Sequence, residues 1–201
     1  MFTSHSRRPR QVLMGVAAGI ALLTVNVPAA RAQSLQPVPA TLEVPAGNTP
    51  FLVGHAYGTQ NYICTLVRGG FEWTFFGPQA TLFDDSGQQI ATHFLSPNPD
   101  ENGKARATWQ DSRDSSAVWA VAAASSSDSA FVAPDAIPWL LLRVVGADDG
   151  PHDGDRLTAA TFLQRVNTMG GGVPESGCSR ALDIAVKALV PYTADYIFYG
   201  E

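Results

Sequence analysis

The sequence predicts an all-β protein, a single-domain β-sandwich or barrel-like fold with at most one short helix. Three observations lead there. Charged residues make up only 15% of the 201, while 18 Gly and 14 Pro supply turns; an average globular domain carries about a quarter charged residues. Aromatic and β-branched runs recur at close spacing between Gly-rich or polar breaks. The run over residues 192–199 alternates, with Tyr192, Ala194, Tyr196 and Phe198 on one face and Thr193, Asp195, Ile197 and Tyr199 on the other, the period of a strand.

Taken in order, residues 1–32 read as a secretory signal peptide. Arg7, Arg8 and Arg10 precede an apolar stretch over 12–27, and Ala30-Arg31-Ala32 marks cleavage after Ala32. That stretch is short against the roughly 20 residues of a membrane helix, so no transmembrane segment is expected once it is removed. Pro9, Arg10 and Gln11 stand where a twin-arginine signal would be apolar. Residues 33–49 read as a loose N-terminal leader and 50–201 as the folded domain.

Strands are expected at 51–57, 61–67 and 71–76, divided at Gly58 and at Gly69-Gly70. Residues 81–83 and 89–94 flank Asp84-Asp85-Ser86-Gly87, a hairpin turn in which Gly takes the positive φ. Residues 95–116 form the longest irregular stretch, a place where binding loops are often found. Further strands are expected at 117–123, 137–146 and 156–166, with a polar low-complexity stretch at 124–130. Ile137-Pro138-Trp139-Leu140-Leu141-Leu142 lacks alternation and suits a strand buried on both faces. Residues 179–189 are the one place for a short helix.

Over the whole chain 18 acidic residues exceed 13 basic ones. Loss of Arg7, Arg8, Arg10 and Arg31 with the leader takes the bases to nine and the net charge from −5 to −9. An acidic surface argues against nucleic acid as a partner; a small ligand or a protein partner stays open. Cys64 and Cys178 are the two cysteines, and in an oxidising secreted or periplasmic setting an even pair reads as one disulfide.

His93 is the leading candidate for chemistry. It stands at a strand end and opens the stretch that holds Trp109, Asp111 and Asp114. An imidazole near carboxylates binds metals or moves protons, which suggests a metal-binding protein or metal-dependent enzyme, with Asp84, Asp111 or Asp114 supplying oxygens. The plainer reading is a ring that fills a strand end and donates to a backbone carbonyl. The remaining histidines past the leader are His55 and His152; the latter lies in the acidic turn 148–155, which lacks the ligand spacing of a calcium loop. No G-x-S-x-G, phosphate loop or zinc-type Cys cluster is present, and no cofactor is expected. Trp109, among polar neighbours, is the tryptophan expected to be exposed, and a sugar-binding platform would use it. Arg165 interrupts an apolar strand and reads as a polar latch to Asp195 or Asp84, supporting the turn at Gly170-Gly171-Gly172.

Several segments carry a family likeness: Gly58-Thr59-Gln60-Asn61-Tyr62-Ile63-Cys64, Leu82-Phe83-Asp84, His93-Phe94, the run 137–142, Gln164-Arg165-Val166-Asn167-Thr168, Gly177-Cys178 and Val190-Pro191-Tyr192-Thr193-Ala194-Asp195-Tyr196. Together they resemble the DUF3455 family over nearly all of residues 50–200. The resemblance implies a secreted protein of bacteria or fungi and assigns no catalytic residue. A malate dehydrogenase label attached to some fungal members finds no support here, since no G-x-G-x-x-G follows a strand and no βαβ alternation exists to present one. The chain departs from the family pattern after His93-Phe94, where residues 97–104 intervene before Thr108-Trp109. The function expected from all this is a non-catalytic binding or structural protein of the cell envelope or exterior.

Overall fold

The computed structural model describes Met1 and residues 36–201. Apart from Met1, the signal-peptide and cleavage readings lie outside the described residues. Eight antiparallel strands follow one another: β1 (Thr49–Val67), β2 (Gly70–Phe83), β3 (Gln89–Asn98), β4 (Lys104–Asp111), β5 (Ala117–Ser126), β6 (Trp139–Asp148), β7 (Phe162–Gly170) and β8 (Lys187–Gly200). Each pairs with its sequence neighbours, and β8 returns to pair with β1 from Thr49–Gly200 to Ile63–Lys187. The result is a closed up-and-down barrel. Of the two all-β architectures expected, this pairing selects the barrel.

β1 is a single strand, not two. Gly58 sits mid-strand opposite Ala80, where a Cβ would lie 2.1 Å from the Gln79 carbonyl oxygen and 2.6 Å from the Ala80 Cβ. Glycine there permits close approach of two backbones rather than a turn. The even-numbered residues Ala56, Gln60, Tyr62 and Cys64 all turn inward and are buried. β2 likewise runs through the expected break and accommodates one extra residue at a bulge beside Asn61 and Tyr62.

Three other expectations are corrected. Residues 95–116 are a hairpin rather than an irregular loop: β3 runs to Asn98, a 3-10 turn (Pro99–Glu101) caps it, and β4 returns. The residues that set this chain apart from the family pattern therefore lengthen a hairpin. Asn98 caps the turn by accepting from the Asp100 amide and donates to Glu101 Oε2, and Glu101 in turn takes two bonds from Arg106. The expected helix at 179–189 is only a 3-10 turn (Ala181–Asp183), because Lys187 already enters β8 and pairs with Ile63. Residues 156–161 are turns, and β7 begins at Phe162.

The hairpin at residues 84–87 forms as expected, with Gly87 at φ 78°. Asp84 Oδ1 accepts from the Ser86 hydroxyl and from the Ser86 and Gln88 amides, which holds its carboxyl below the ordinary range. Cys64 and Cys178 are joined across 114 residues of sequence, which ties the β7–β8 connection to β1. Cross-linking a loop of that size restricts the unfolded chain by roughly 4–5 kcal/mol.

The core has two parts. Inside the barrel, Leu82, Ile90, Val118, Leu157, Leu163 and Phe198 fill one end. Outside it, Leu42 is fully buried with Trp139, Leu141, Ile197 and Tyr199. Residues 37–44, expected to be loose leader, are thus a strap seated on the outer wall. Gln164 Nε2 donates to the Leu42 carbonyl at 2.7 Å, and the Tyr199 hydroxyl donates to Gln164 Oε1 at 2.6 Å. The unalternating run at 139–142 is explained by these two cores, since Trp139 and Leu141 face the strap while Leu140 and Leu142 face the lumen.

Candidate binding site in the barrel lumen

The other end of the lumen holds a cavity of about 180 Å³. It exists because small side chains, Ala107, Ala120 and Ala122, line the β4–β5 wall, where larger ones would fill the space. Phe75, Pro78, Leu95, Leu140 and Leu142 complete the apolar lining, and five polar side chains converge on it: Gln60, His93, Trp109, Arg165 and Tyr196.

His93 and Trp109 are cross-strand partners on β3 and β4. Their rings stack at 4.1 Å between centroids with planes 10° apart, and Tyr196 packs against both, 5.1 and 5.3 Å away. His93 Nδ1 is 2.9 Å from the Thr108 carbonyl oxygen and therefore carries the proton. Nε2 is then the bare acceptor nitrogen of a neutral ring. Burial pushes this imidazole down to about 3, aided by the nearby Arg165 charge and opposed by the Thr108 carbonyl. Burial likewise raises the Tyr192 hydroxyl, and that hydroxyl lies 3.4 Å from Tyr196, a long contact for two phenols.

Among the described residues two buried donors in this lining lack a hydrogen bond of good geometry, Trp109 Nε1 and Gln60 Nε2, the Gln60 side chain lying near the Tyr192 hydroxyl, whose pKa it draws down. Arg165 Nε and Nη2 both donate to one acceptor, the Pro138 carbonyl, at 3.2 and 2.8 Å. Among the described residues Arg165 has no ion-pair partner. The latch to Asp195 or Asp84 is corrected accordingly. Asp195 is held by His55 Nδ1 and Asn167, and Asp84 closes its hairpin. Arg165 instead anchors the carbonyl of Pro138, in the β5–β6 connection.

The barrel wall is breached beside this cavity. The β2–β3 ladder runs from Phe83–Gln89 only to Ala80–His93; beyond that, β2 pairs with β1 alone and β3 with β4 alone. Pro78 stands at the split and has no N–H to donate to a ladder. An open depression of about 830 Å³ fills the gap and shares Pro78, His93 and Leu95 with the lumen cavity. Among the described residues no charged side chain lines this larger space, and the charged side chain beside it, Arg165, lines the smaller cavity.

The carboxylates expected near His93 are elsewhere. Asp111 pairs opposite Ala91, nearer the filled end of the lumen, and is buried. Its Oδ1 accepts from the amides of Arg113 and Asp114, and its Oδ2 from Arg156 Nε at 3.0 Å. Asp114 accepts from the Ser116 amide and hydroxyl and the Arg156 amide. Both fasten turns. Among the described residues, no group of three or more His, Cys, Asp and Glu side chains is arranged to hold a metal ion. Trp109, expected to be exposed, is 1% accessible; it faces inward on β4 while its neighbours Thr108 and Gln110 face the other way, so it offers no flat outer surface to a sugar.

Gln60 and Tyr196 were missed as site residues. The signal for Gln60 was present: it is the one carboxamide in the otherwise small or aromatic even-numbered series Gly54, Ala56, Gly58, Gln60, Tyr62 and Cys64, hidden because the strand was divided at Gly58.

Fold and site together define a closed antiparallel up-and-down β-barrel with a small, partly polar cavity beside a split in its wall. The chain belongs to the DUF3455 family, described as a protein of unknown function, whose match spans residues 45–200. No curated protein matches the chain, and no solved structure does.

Proposed function

We propose that this protein is a non-catalytic binding protein that works outside the cytoplasm and holds one small molecule in the barrel lumen, among Gln60, His93, Trp109, Arg165 and Tyr196. The observation that carries this reading is the pair of unpartnered buried donors gathered around a cavity. An unsatisfied buried polar group costs roughly 1–3 kcal/mol, and native proteins rarely leave one without a reason. A ligand that accepts from Trp109 Nε1 and Gln60 Nε2 removes that penalty.

Size and architecture agree. An eight-stranded barrel has an interior that is either filled by side chains or just large enough for one small ligand, and this one is filled at one end only. A cavity of roughly 150 Å³ takes up benzene. The lining favours binding over catalysis, for among the described residues it contains no carboxylate, thiol or aliphatic hydroxyl and its histidine is a neutral, stacked ring. The lumen is mainly apolar, the reverse of the polar interior of a membrane-spanning barrel. A site of action outside the cytoplasm is supported by the disulfide and by the leader-like residues 1–32.

The test is Ala120→Leu, which places a larger side chain in the cavity wall. Ring-sized compounds are expected to raise the melting temperature of the wild-type protein and to leave that of the variant unchanged. Equal shifts in both proteins would move the site out of the lumen.

A further inference from the structure

We infer that the lumen ligand is a small flat carboxylate, a single ring bearing one carboxylate group, with that group on Arg165 and the ring against the Trp109–His93 stack. This rests on the lumen-binding reading and adds the chemical class of the ligand.

Charge is the first argument. Among the described residues Arg165 is the one charged side chain in the cavity lining, and it is flanked in the sheet by Leu140 on one side and Tyr196 on the other. Its field reaches Tyr62, His93 and Tyr192. Two of its five N–H groups go to a single neutral carbonyl, leaving three. A guanidinium matches the two oxygens of a carboxylate with parallel bonds, and a sheltered cation without a counter-charge favours an anion.

Donor count is the second. Trp109 and Gln60 add unpartnered N–H groups, so the polar lining is dominated by donors and calls for a ligand rich in acceptors. The neutral His93 ring adds no second positive charge, which suits a ligand with one negative charge rather than a doubly charged one.

Shape is the third. About 180 Å³ is the volume of one ring with a small substituent, and a stacked pair beside an apolar wall favours a flat one. The approach is compatible as well. Although the protein is acidic overall, the depression leading to His93 carries no acidic side chain to repel an anion.

The experiment is calorimetric titration of the full chain with benzoate, benzamide, benzylamine and acetate. Benzoate is expected to bind about tenfold or more tightly than benzamide, the gain of a charged over a neutral hydrogen bond. Benzylamine and acetate should bind more weakly than either. Arg165→Gln should bring the benzoate-to-benzamide ratio close to one, a change that a purely structural role for Arg165 would not produce. Arg165→Lys, which keeps the charge and loses the fork, should retain part of the preference and serves if the Gln variant does not fold. Benzamide or benzylamine binding as well as benzoate would overturn the carboxylate while leaving the lumen site standing. Acetate matching benzoate would overturn the ring. Failure of every ring compound to bind the wild-type protein would overturn the lumen site and this inference with it.

Discussion

At the scale of single residues, His93 links site and stability. In the unfolded chain its ring titrates near 6.5, whereas in the barrel it is held down to about 3. Below 6.5 the unfolded state therefore binds a proton that the native state refuses, and stability falls as pH drops until the native value is reached. The slope for one such group is roughly 1 kcal/mol per pH unit. His93→Gln is expected to lose less stability than wild type between pH 6 and pH 4, as measured by urea unfolding at each pH; parallel curves would place His93 in contact with water. His93 and Trp109 were both legible as residues of interest, but their partnership was not. On β4 the inward series is Ala105, Ala107, Trp109 and Asp111. Alanine is too small to signal an apolar face, and Asp111 looks solvent-facing until its oxygens are matched to turn amides and Arg156.

At the scale of elements, segments with unbroken alternation were readable, such as 192–199 of β8, while the full extents of β1, β2 and β8 were not. The last strand was recognised from its two faces. β1 was divided at a glycine because glycine marks turns far more often than it marks close contact between strands. That distinction is testable. Gly58→Ala sets a methyl group against the Gln79 carbonyl and Ala80, and overpacking of this kind costs about 1–3 kcal/mol. The melting temperature should fall by several degrees, at about 2–4 °C per kcal/mol for a chain of this size. A value within a degree of wild type would show that β1 and β2 part easily there. The β3–β4 hairpin illustrates the opposite error. Pro97, Pro99, Asn102 and Gly103 read as a loop, yet Pro97 pairs with Ala105 within the ladder and the other three only build the tip around which two paired strands turn.

For the molecule as a whole, the family match begins at residue 45, but the fold begins earlier. The strap over 37–44 covers Trp139, Ile197 and Tyr199 with Leu42. Leu42→Ala is expected to cost about 2–5 kcal/mol, the range for truncating a buried leucine, and to increase binding of a hydrophobic dye. Unchanged stability would make the strap an ornament of the barrel rather than part of it. Neither the strap nor the closure was legible, because both depend on contacts between residues more than a hundred positions apart, such as Gln164 with Leu42 and β8 with β1. The split between β2 and β3 bears on time as well as shape. A ligand sealed inside an unbroken barrel would exchange only as fast as strands separate. Here the ladder between β2 and β3 is already open beside Pro78, His93 and Leu95, so a ligand held in the lumen as proposed would have fewer strand contacts to break on entry. On that proposed reading, arrival would proceed at ordinary encounter rates and the contacts inside would set the residence time.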